Sequence, residues 1–578
     1  MMETRRWNLW LVALAACCLW AGCGRDHYQR SADKEVYGIL GQRRAEVLGK
    51  TNDSFNIKTP YSDRKPADIP APEILQQRMT SARRPMTLSE ALKTAIAHSP
   101  SYQSQKETVY LKALTLTQQR YNFTPQWASS VKPALSRNAY GVYDQFVETD
   151  LSVSQLLKTG GTLTVSMLND VLAFYSGGSS HNTTAFSATF IQPLLHGAGY
   201  KIVTENLTQA ERDVVYQINT FARYEQTFAL DIVTKYYQLL QQRDVIRNNY
   251  STYKNLVLVR ERAEAMGKDR LAAYQVDQAV QQELTSKSTY LASVQSYQDS
   301  LDRFKIALGL PVGTELVLDE SPLDELRKMS LPVVELTEEQ GHRIACQSRF
   351  DVQNEINKFE DSKRKIDFYA DALKPDLNVI GHVELPQPNG YDYSRFDVGQ
   401  YKAYGEVRLD LPLNRLPQRN DFRTSQINFE VELRTLALLL DNVRNSIQAD
   451  LRAVDEARKN YAIQQDAARI AKRSLEGSVM LLQAGRIDML NMLTAQSALL
   501  NAQNAFTGAL LTYHTARWNL LSDLGIIRTD LDRFWLAEQP ILLPGAPPPA
   551  AAAAPAAPPP AQQRGAQVEL IPPDKLFR

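Results

Sequence analysis

The sequence predicts a mainly helical α+β membrane protein. Its long antiparallel helices wall a tube, and its amphipathic strands cross a bilayer only when several copies pool them. Three observations carry this reading. First, Leu433, Leu440, Ile447, Val454, Tyr461, Ala468, Leu475 and Leu482 recur at intervals of seven, with Leu436, Val443, Ala457 and Ala471 three positions later in their heptads. Such a seam must bury one stripe of a helix against other helices. Second, a series of helix, strands, long helix, glycine and helix occurs twice, which marks two internal structural repeats. Third, beyond the N-terminus no run of about 18 apolar residues occurs, so a membrane crossing requires strands in a closed barrel.

The N-terminus reads as an export signal over 1–22. Arg5 and Arg6 precede an unbroken apolar stretch, Leu9–Leu19, too short to span a bilayer. Leu19-Trp20-Ala21-Gly22-Cys23 then resembles a bacterial lipoprotein signal, with Cys23 the residue acylated. Cys17 is the alternative: Leu14-Ala15-Ala16-Cys17 fits that consensus better, but cleavage there leaves the apolar 17–22 on the mature chain. An ordinary secretory signal with incidental cysteines is the other reading. The remaining cysteines are Cys18 and Cys346, which excludes a disulfide framework.

Residues 23–85 are polar and irregular, with Pro60, Pro66, Pro70, Pro72 and Pro85, and are expected to be an extended lead. The first repeat covers 86–311. Thr87 and Glu90 form a capping box, and the helix pauses at Ser99-Pro100 and ends near Pro125. From Trp127 to Pro193 the period becomes two: Leu163, Val165 and Met167 alternate with hydroxyl residues, as do Phe186, Ala188 and Phe190, with turn signals at Gly160-Gly161 and 177–182. The helical period returns with Leu207, Val214, Phe221 and Phe228, then steps by four to Ile232, Leu239, Ile246 and Tyr253, a stutter that relaxes supercoiling. Gly267 interrupts, and helix resumes to Leu308-Gly309.

A connection over 312–335 leads to the second repeat, 336–527. Its helical stretch (336–373) precedes strands around Leu377–Leu385 and Val407–Leu411. A helix of roughly 50 residues, about 75 Å long, then follows, with no proline and only Gly477 between Leu433 and Leu482. Gly485 interrupts it, and helix resumes to Leu524-Gly525. The tail, 528–578, is rich in proline and alanine and is expected to be disordered.

Composition excludes several functions. Lys and Arg number 65 against 64 Asp and Glu, a net charge of +1, which gives no reason to expect nucleic acid as a partner. The seven histidines show no ligand spacing, and no nucleophile elbow, phosphate loop or dinucleotide signature appears, so neither enzyme activity, cofactor nor metal is expected. His196 reads as a strand-to-helix corner.

Over about 87–527 the chain resembles the TolC-type outer-membrane efflux family, in its lipoprotein-bearing branch. The residues that carry the resemblance are Thr87–Leu92, Gln192–Gly199, Leu409–Leu413, Ala484-Gly485-Arg486, Leu493–Gln496 and the two Leu-Gly helix ends. The resemblance implies a homotrimer with a 12-stranded outer-membrane β-barrel on a periplasmic α-barrel about 100 Å long. It implies a passive conduit in a tripartite efflux or type I secretion system, fed by an inner-membrane pump through a periplasmic membrane-fusion adaptor. The family takes two strands from each repeat. Here an additional hairpin candidate at 148–170 either joins the barrel or decorates it.

The turns after the interrupting glycines, 266–278 and 484–496, correspond to the periplasmic tip that closes the tunnel. Relatives ring this entrance with two aspartates, and the matching positions here are Asn491 and Thr494. Asp488 is near but displaced, and Asp269 and Asp277 are available in the first repeat, where Asp277 alternatively solvates a helix face. Gly267, Asp269, Asp277, Gly485, Asp488, Asn491 and Thr494 are thus the expected gate residues. A lipid-anchored coiled-coil scaffold without a pore accounts for the helices and the lipid signal. It does not account for amphipathic strands at equivalent points of both halves.

Overall fold

The computed structural model describes residues 25–49, 55–79, 83–137, 143–174, 181–266, 272–329, 331, 334–387, 398–528 and 534–535. Cys17, Cys23, Gly267, Asp269, most of the turn signal at 177–182 and nearly all of the tail lie outside the described residues.

Helix α1 (Arg25–Leu48) stands where the sequence leads one to expect an extended lead. The prolines of that lead begin only at Pro60. Ahead of them Val36, Ile39, Leu40 and Arg44 form a buried stripe at helical spacing, hidden by the polarity of the whole segment. Tyr110 donates a hydrogen bond to Asp33 at 2.6 Å, and the Arg44 guanidinium sits 5.1 Å from the Phe55 ring, which fastens α1 to the body. Helix α2 (Ala71–Met79) and strand β1 (Arg83–Met86) follow.

Helices α3 (Leu88–His98) and α4 (Pro100–Tyr121) form the predicted pair. Thr87 and Glu90 make the capping box, and Pro100 occupies the start of α4, where no amide donor is needed. Strands β2 (Gln126–Arg137), β3 (Tyr143–Leu156), β4 (Thr162–Phe174) and β5 (His181–Pro193) come next. The short α5 (Tyr200–Val203) leads into α6 (Glu205–Met266) and α7 (Ala273–Ala307).

Strand β6 (Glu315–Leu318) pairs in parallel with β1, beside α8 (Ser321–Lys328). The buried Tyr236 hydroxyl donates to the carbonyls of Met86 and Asp319 at 3.0 and 2.9 Å, which braces α6 at mid-length. The second half holds α9 (Glu338–Ser348), capped by a Thr337–Gln340 box, then α10 (Phe350–Asp371) and strands β7 (Asp376–Gln387) and β8 (Lys402–Asp410). It ends with α11 (Leu416–Gln483) and α12 (Met489–Asp523).

At 62 and 68 residues, α6 and α11 reach about 90 and 100 Å. Helix α6 packs along α7, α11 along α12, and α6 meets α12 between the two pairs. The heptad seam of α11 is closed at its middle, where Val443, Ile447, Val454 and Ala457 are buried, but Leu433 at its upper end is 50 % exposed. One copy of the chain leaves that end of the stripe uncovered. Helices α7 and α12 end alike. The amides of Gly309 and Leu310 bond back to Ile306 and Lys305, and those of Gly525 and Ile526 to Ser522 and Leu521.

Among the described residues six strands form one antiparallel sheet in the order β2-β3-β4-β5-β7-β8. The hairpin candidate therefore lies inside the sheet: β3 and β4 separate β2 from β5, and each is paired on both sides along most of its length.

Candidate membrane wall and tunnel tip

The sheet has two unlike faces. The register puts Trp127, Val131, Val147, Leu151, Val153, Leu163, Val165, Met167, Phe186, Phe190, Val379, Val383, Val407 and Leu409 on one side. Much of this face is exposed: Trp127 is 72 % exposed and Val407 69 %. The strands run 9 to 14 residues, against the 9–11 that a tilted strand needs to cross hydrocarbon. The other face is mostly polar. One of its rows runs Gln126, Ser154, Thr164, Thr189, His382, Tyr404. Ser154 and Thr164 hydroxyls are 3.1 Å apart, Thr189 hydrogen-bonds with His382 Nδ1 at 2.8 Å, and His382 stacks on Tyr404. Lys132 pairs with Glu148 at 3.1 Å on the same face. Among the described residues no helix is long and apolar enough to cross a membrane.

Under the sheet, the β3–β4 turn docks on the corner that leads from β5 into the helices. Gly160 there has φ +96°, and a Cβ on it would meet the Gly197 carbonyl oxygen at 2.4 Å. Only glycine satisfies both the conformation and the approach. The Gly199 amide donates to the Thr159 carbonyl at 3.1 Å. His196 fills the predicted corner, with Nδ1 2.6 Å from Asp376 Oδ1, and the Gly197 amide donates to the buried Asp371 at 2.8 Å. Below this, the buried Asp361 of α10 receives Arg212, Arg364 (2.9 Å) and the Tyr216 hydroxyl (2.6 Å). With Gln209 Nε2 also donating at 3.3 Å, a buried carboxylate with four donor residues is matched rather than stranded. Burial, then the hydrogen bond to Asp361, holds the Tyr216 phenol well above its ordinary value.

At the far end, Gly485 (φ +67°) closes α11. Its amide donates to Leu482, and that of Arg486 to Leu481, the paired pattern that requires a left-handed residue. Asp488 is the exposed residue before α12 and makes no side-chain cap. Asn491 and Thr494 are exposed, as is Asp277 on α7. The Thr494 hydroxyl donates to the Leu490 carbonyl at 2.9 Å. The structure thus brings Asp488, Asn491 and Thr494 together at one end of α12, with Asp277 at the corresponding end of α7. Asn491 and Thr494 begin a stripe that continues through Ala498, Asn501 and Ala505, all exposed, at the spacing of one helix face. From Met489 to Ala516 there is no charged side chain.

Sequence reasoning missed what holds this tip. Leu256, Ala263, Ala279, Met489, Met492 and Leu493 form a buried cluster across α6, α7 and α12. Gln282 donates to Ser497 at 3.2 Å, and Asn248 to Asn504 at 2.8 Å, tying the α6–α7 pair to α12. Arg260 joins Glu283 across α6 and α7. Asparagines and glutamines on heptad helices carry no sequence signal that separates such bridges from solvated positions. No group of side chains that could hold a metal occurs among the described residues.

No family model and no curated protein matches the chain. Solved structures do. The CmeC outer membrane channel of Campylobacter jejuni superposes with a TM-score of 0.56 at 13 % identity, over 76 % of this chain and 85 % of that one. The outer membrane protein VceC of Vibrio cholerae gives 0.56 at 14 % identity, over 76 % and 96 %. The open-state MtrE outer membrane channel of Neisseria gonorrhoeae gives 0.56 at 12 %, over 76 % and 89 %. The chain has the fold of these channels.

Proposed function

We propose that this chain, which shares its fold with outer-membrane channels, is the outer-membrane duct of an export machine. Three copies close a barrel in the outer membrane above a tunnel that crosses the periplasm, with the two halves of each chain acting as structural repeats. Cargo is handed over by an inner-membrane pump through a periplasmic adaptor of the membrane-fusion kind, in a tripartite efflux or type I secretion system. Acyl chains on Cys23, or on Cys17, add a second hold on the membrane. The energy comes from the pump, and the duct performs no chemistry.

The observation that carries this reading is the sheet. An uncovered apolar face opposite a polar, hydrogen-bonded face is what a wall between lipid and water requires, and it has no use on a scaffold in water. The uncharged stripe of α12 from Asn491 to Ala505 suits the inner wall of the tunnel near its entrance. Amides and hydroxyls there, repeated by symmetry, hold cations less strongly than rings of carboxylates. Opening consists of swinging the α11–α12 tip away from α6 and α7, a change between two packings of the same helices.

Conductance of the purified protein in planar lipid bilayers tests the reading. Stepwise conductance is expected, larger in an Asn491→Ala variant. Silence in both, with protein shown to be inserted, favours the poreless lipid-anchored scaffold.

A further inference from the structure

The stretch from Thr87 to Gly309 is 34 residues longer than that from Thr337 to Gly525, although both begin with a capping box and end with the same glycine-terminated helix. The β3–β4 hairpin spans 143–174 and accounts for almost all of this difference. It is no appendage. It enters the sheet between β2 and β5, where Val147, Leu151, Val153, Leu163, Val165 and Met167 extend the apolar face, and is pinned below by the fit of Gly160 against Gly197.

Among the described residues the sheet nevertheless has two unpaired edges, β2 and β8. An open edge cannot stand in hydrocarbon, where each unmatched backbone group costs several kcal/mol. With six strands the two edges run antiparallel to one another, so β8 of one copy can continue onto β2 of the next in the pattern of the rest. Helix α7, from the half that holds β2, and α11, which β8 feeds, flank the α6–α12 contact. Both flanks expose apolar residues seven apart, Leu284 and Leu291 on α7, and Ile463 and Ile470 on α11. Counted from the tip ends of their helices, Leu284 and Ile470 stand within about 3 Å of one height, as do Leu291 and Ile463. A second copy of this chain matches both layers at once.

We infer that copies close edge to edge, β8 on β2 and α11 on α7, with all six strands of each copy in the membrane wall. Resting on the threefold reading above, six strands from each of three copies make a barrel of eighteen. Barrel diameter grows roughly linearly with strand number, so the mouth is about 1.5-fold wider than a twelve-stranded one. The girths of the two layers then agree. Six strands about 4.8 Å apart, tilted by about 40°, span about 38 Å of circumference, while four helices about 8–10 Å apart span about 32–40 Å. Four strands would span only about 25 Å. The class of cargo favoured is correspondingly bulky at the outer end.

Electron cryomicroscopy of the full chain in lipid nanodiscs decides this, because copies and strands are counted separately. Three copies with eighteen wall strands is the expected result. Three copies with twelve, the hairpin folded out of the wall, overturns the inference and leaves the duct intact. Six wall strands per copy in a ring of another size upholds the edge closure and overturns threefold assembly. A variant lacking residues 141–176 gives a second measure: the largest neutral polymer admitted from the barrel side should have a radius about 1.5-fold smaller than for the intact chain. An unchanged cut-off in assembled variant rings counts against the inference.

Discussion

A Cβ at Gly160 would lie 2.4 Å from the carbonyl oxygen of Gly197, so the turn of the inserted hairpin and the β5–α5 corner share one close contact. Gly160→Ala adds this clash to the strain of a positive φ, each costing of order 1–3 kcal/mol. Gly197 also has a positive φ (+72°) but open space around its Cβ position. Thermal melting of the assembled protein should fall clearly for Gly160→Ala and less for Gly197→Ala. Equal losses would mean that the corner does not clamp the hairpin.

Asn491→Ala and Thr494→Ala should each raise the leak conductance of the closed channel, because both side chains stand exposed at the tip end of α12. An unchanged leak in both, with intact rings, moves the constriction away from this face.

Asn504→Ala removes the acceptor of the 2.8 Å bond from Asn248. The net loss is about 0.5–1.5 kcal/mol per copy. The open fraction in bilayer recordings should rise, whereas Asn501→Ala, on the exposed face three residues away, should leave opening driven by the α6–α12 tie unchanged. If Asn504→Ala opens no more often than the parent chain, these amides do not hold the tip shut.

Burial, then the neighbouring Asp523 carboxylate, push Asp450 up to about 6. The folded chain holds that proton more tightly than the unfolded one, so this stability is full below about pH 4 and is lost as pH rises through 6. His514 runs the other way. Burial pushes it down to about 4, so stability is lost as pH falls from about 6.5 toward 4. Melting curves should show Asp450→Asn gaining on the parent above pH 6 and not at pH 4. His514→Phe should gain at pH 4 relative to pH 7. The opposite pH trends would refute both assignments.

With Leu291→Cys and Ile463→Cys combined in one chain, mild oxidation should link copies into covalent oligomers, since the two positions lie at matching heights on the open flanks. Monomers alone on a denaturing gel would show that α7 and α11 do not meet.

Much of this was legible in the sequence because it rests on periodicity. The heptads of α6 and α11, the Thr87 and Thr337 caps and the two-residue alternation around Leu163 and Phe186 are each set by local chemistry. The helix α1 was not legible, because Val36, Ile39 and Leu40 form a short stripe inside a polar segment. Alternation does not fix the strand count, because it reports a strand but not its neighbours. The spacing of the two halves held the answer: the glycine-ended helices repeat at offsets of 218 and 216, but Thr87 and Thr337 are 250 apart. The bridges from Gln282 and Asn248 are tertiary pairings that no one-dimensional pattern encodes.

The two open edges also bear on heredity. In the inferred ring every β8 must find an intact β2, so a single faulty subunit leaves a gap that the other members cannot bridge. In a cell making normal and edge-damaged copies in equal amounts, only about one ring of three in eight would be built from normal copies alone. Mutant alleles affecting these strands should therefore be dominant, whereas alleles that abolish expression should be recessive.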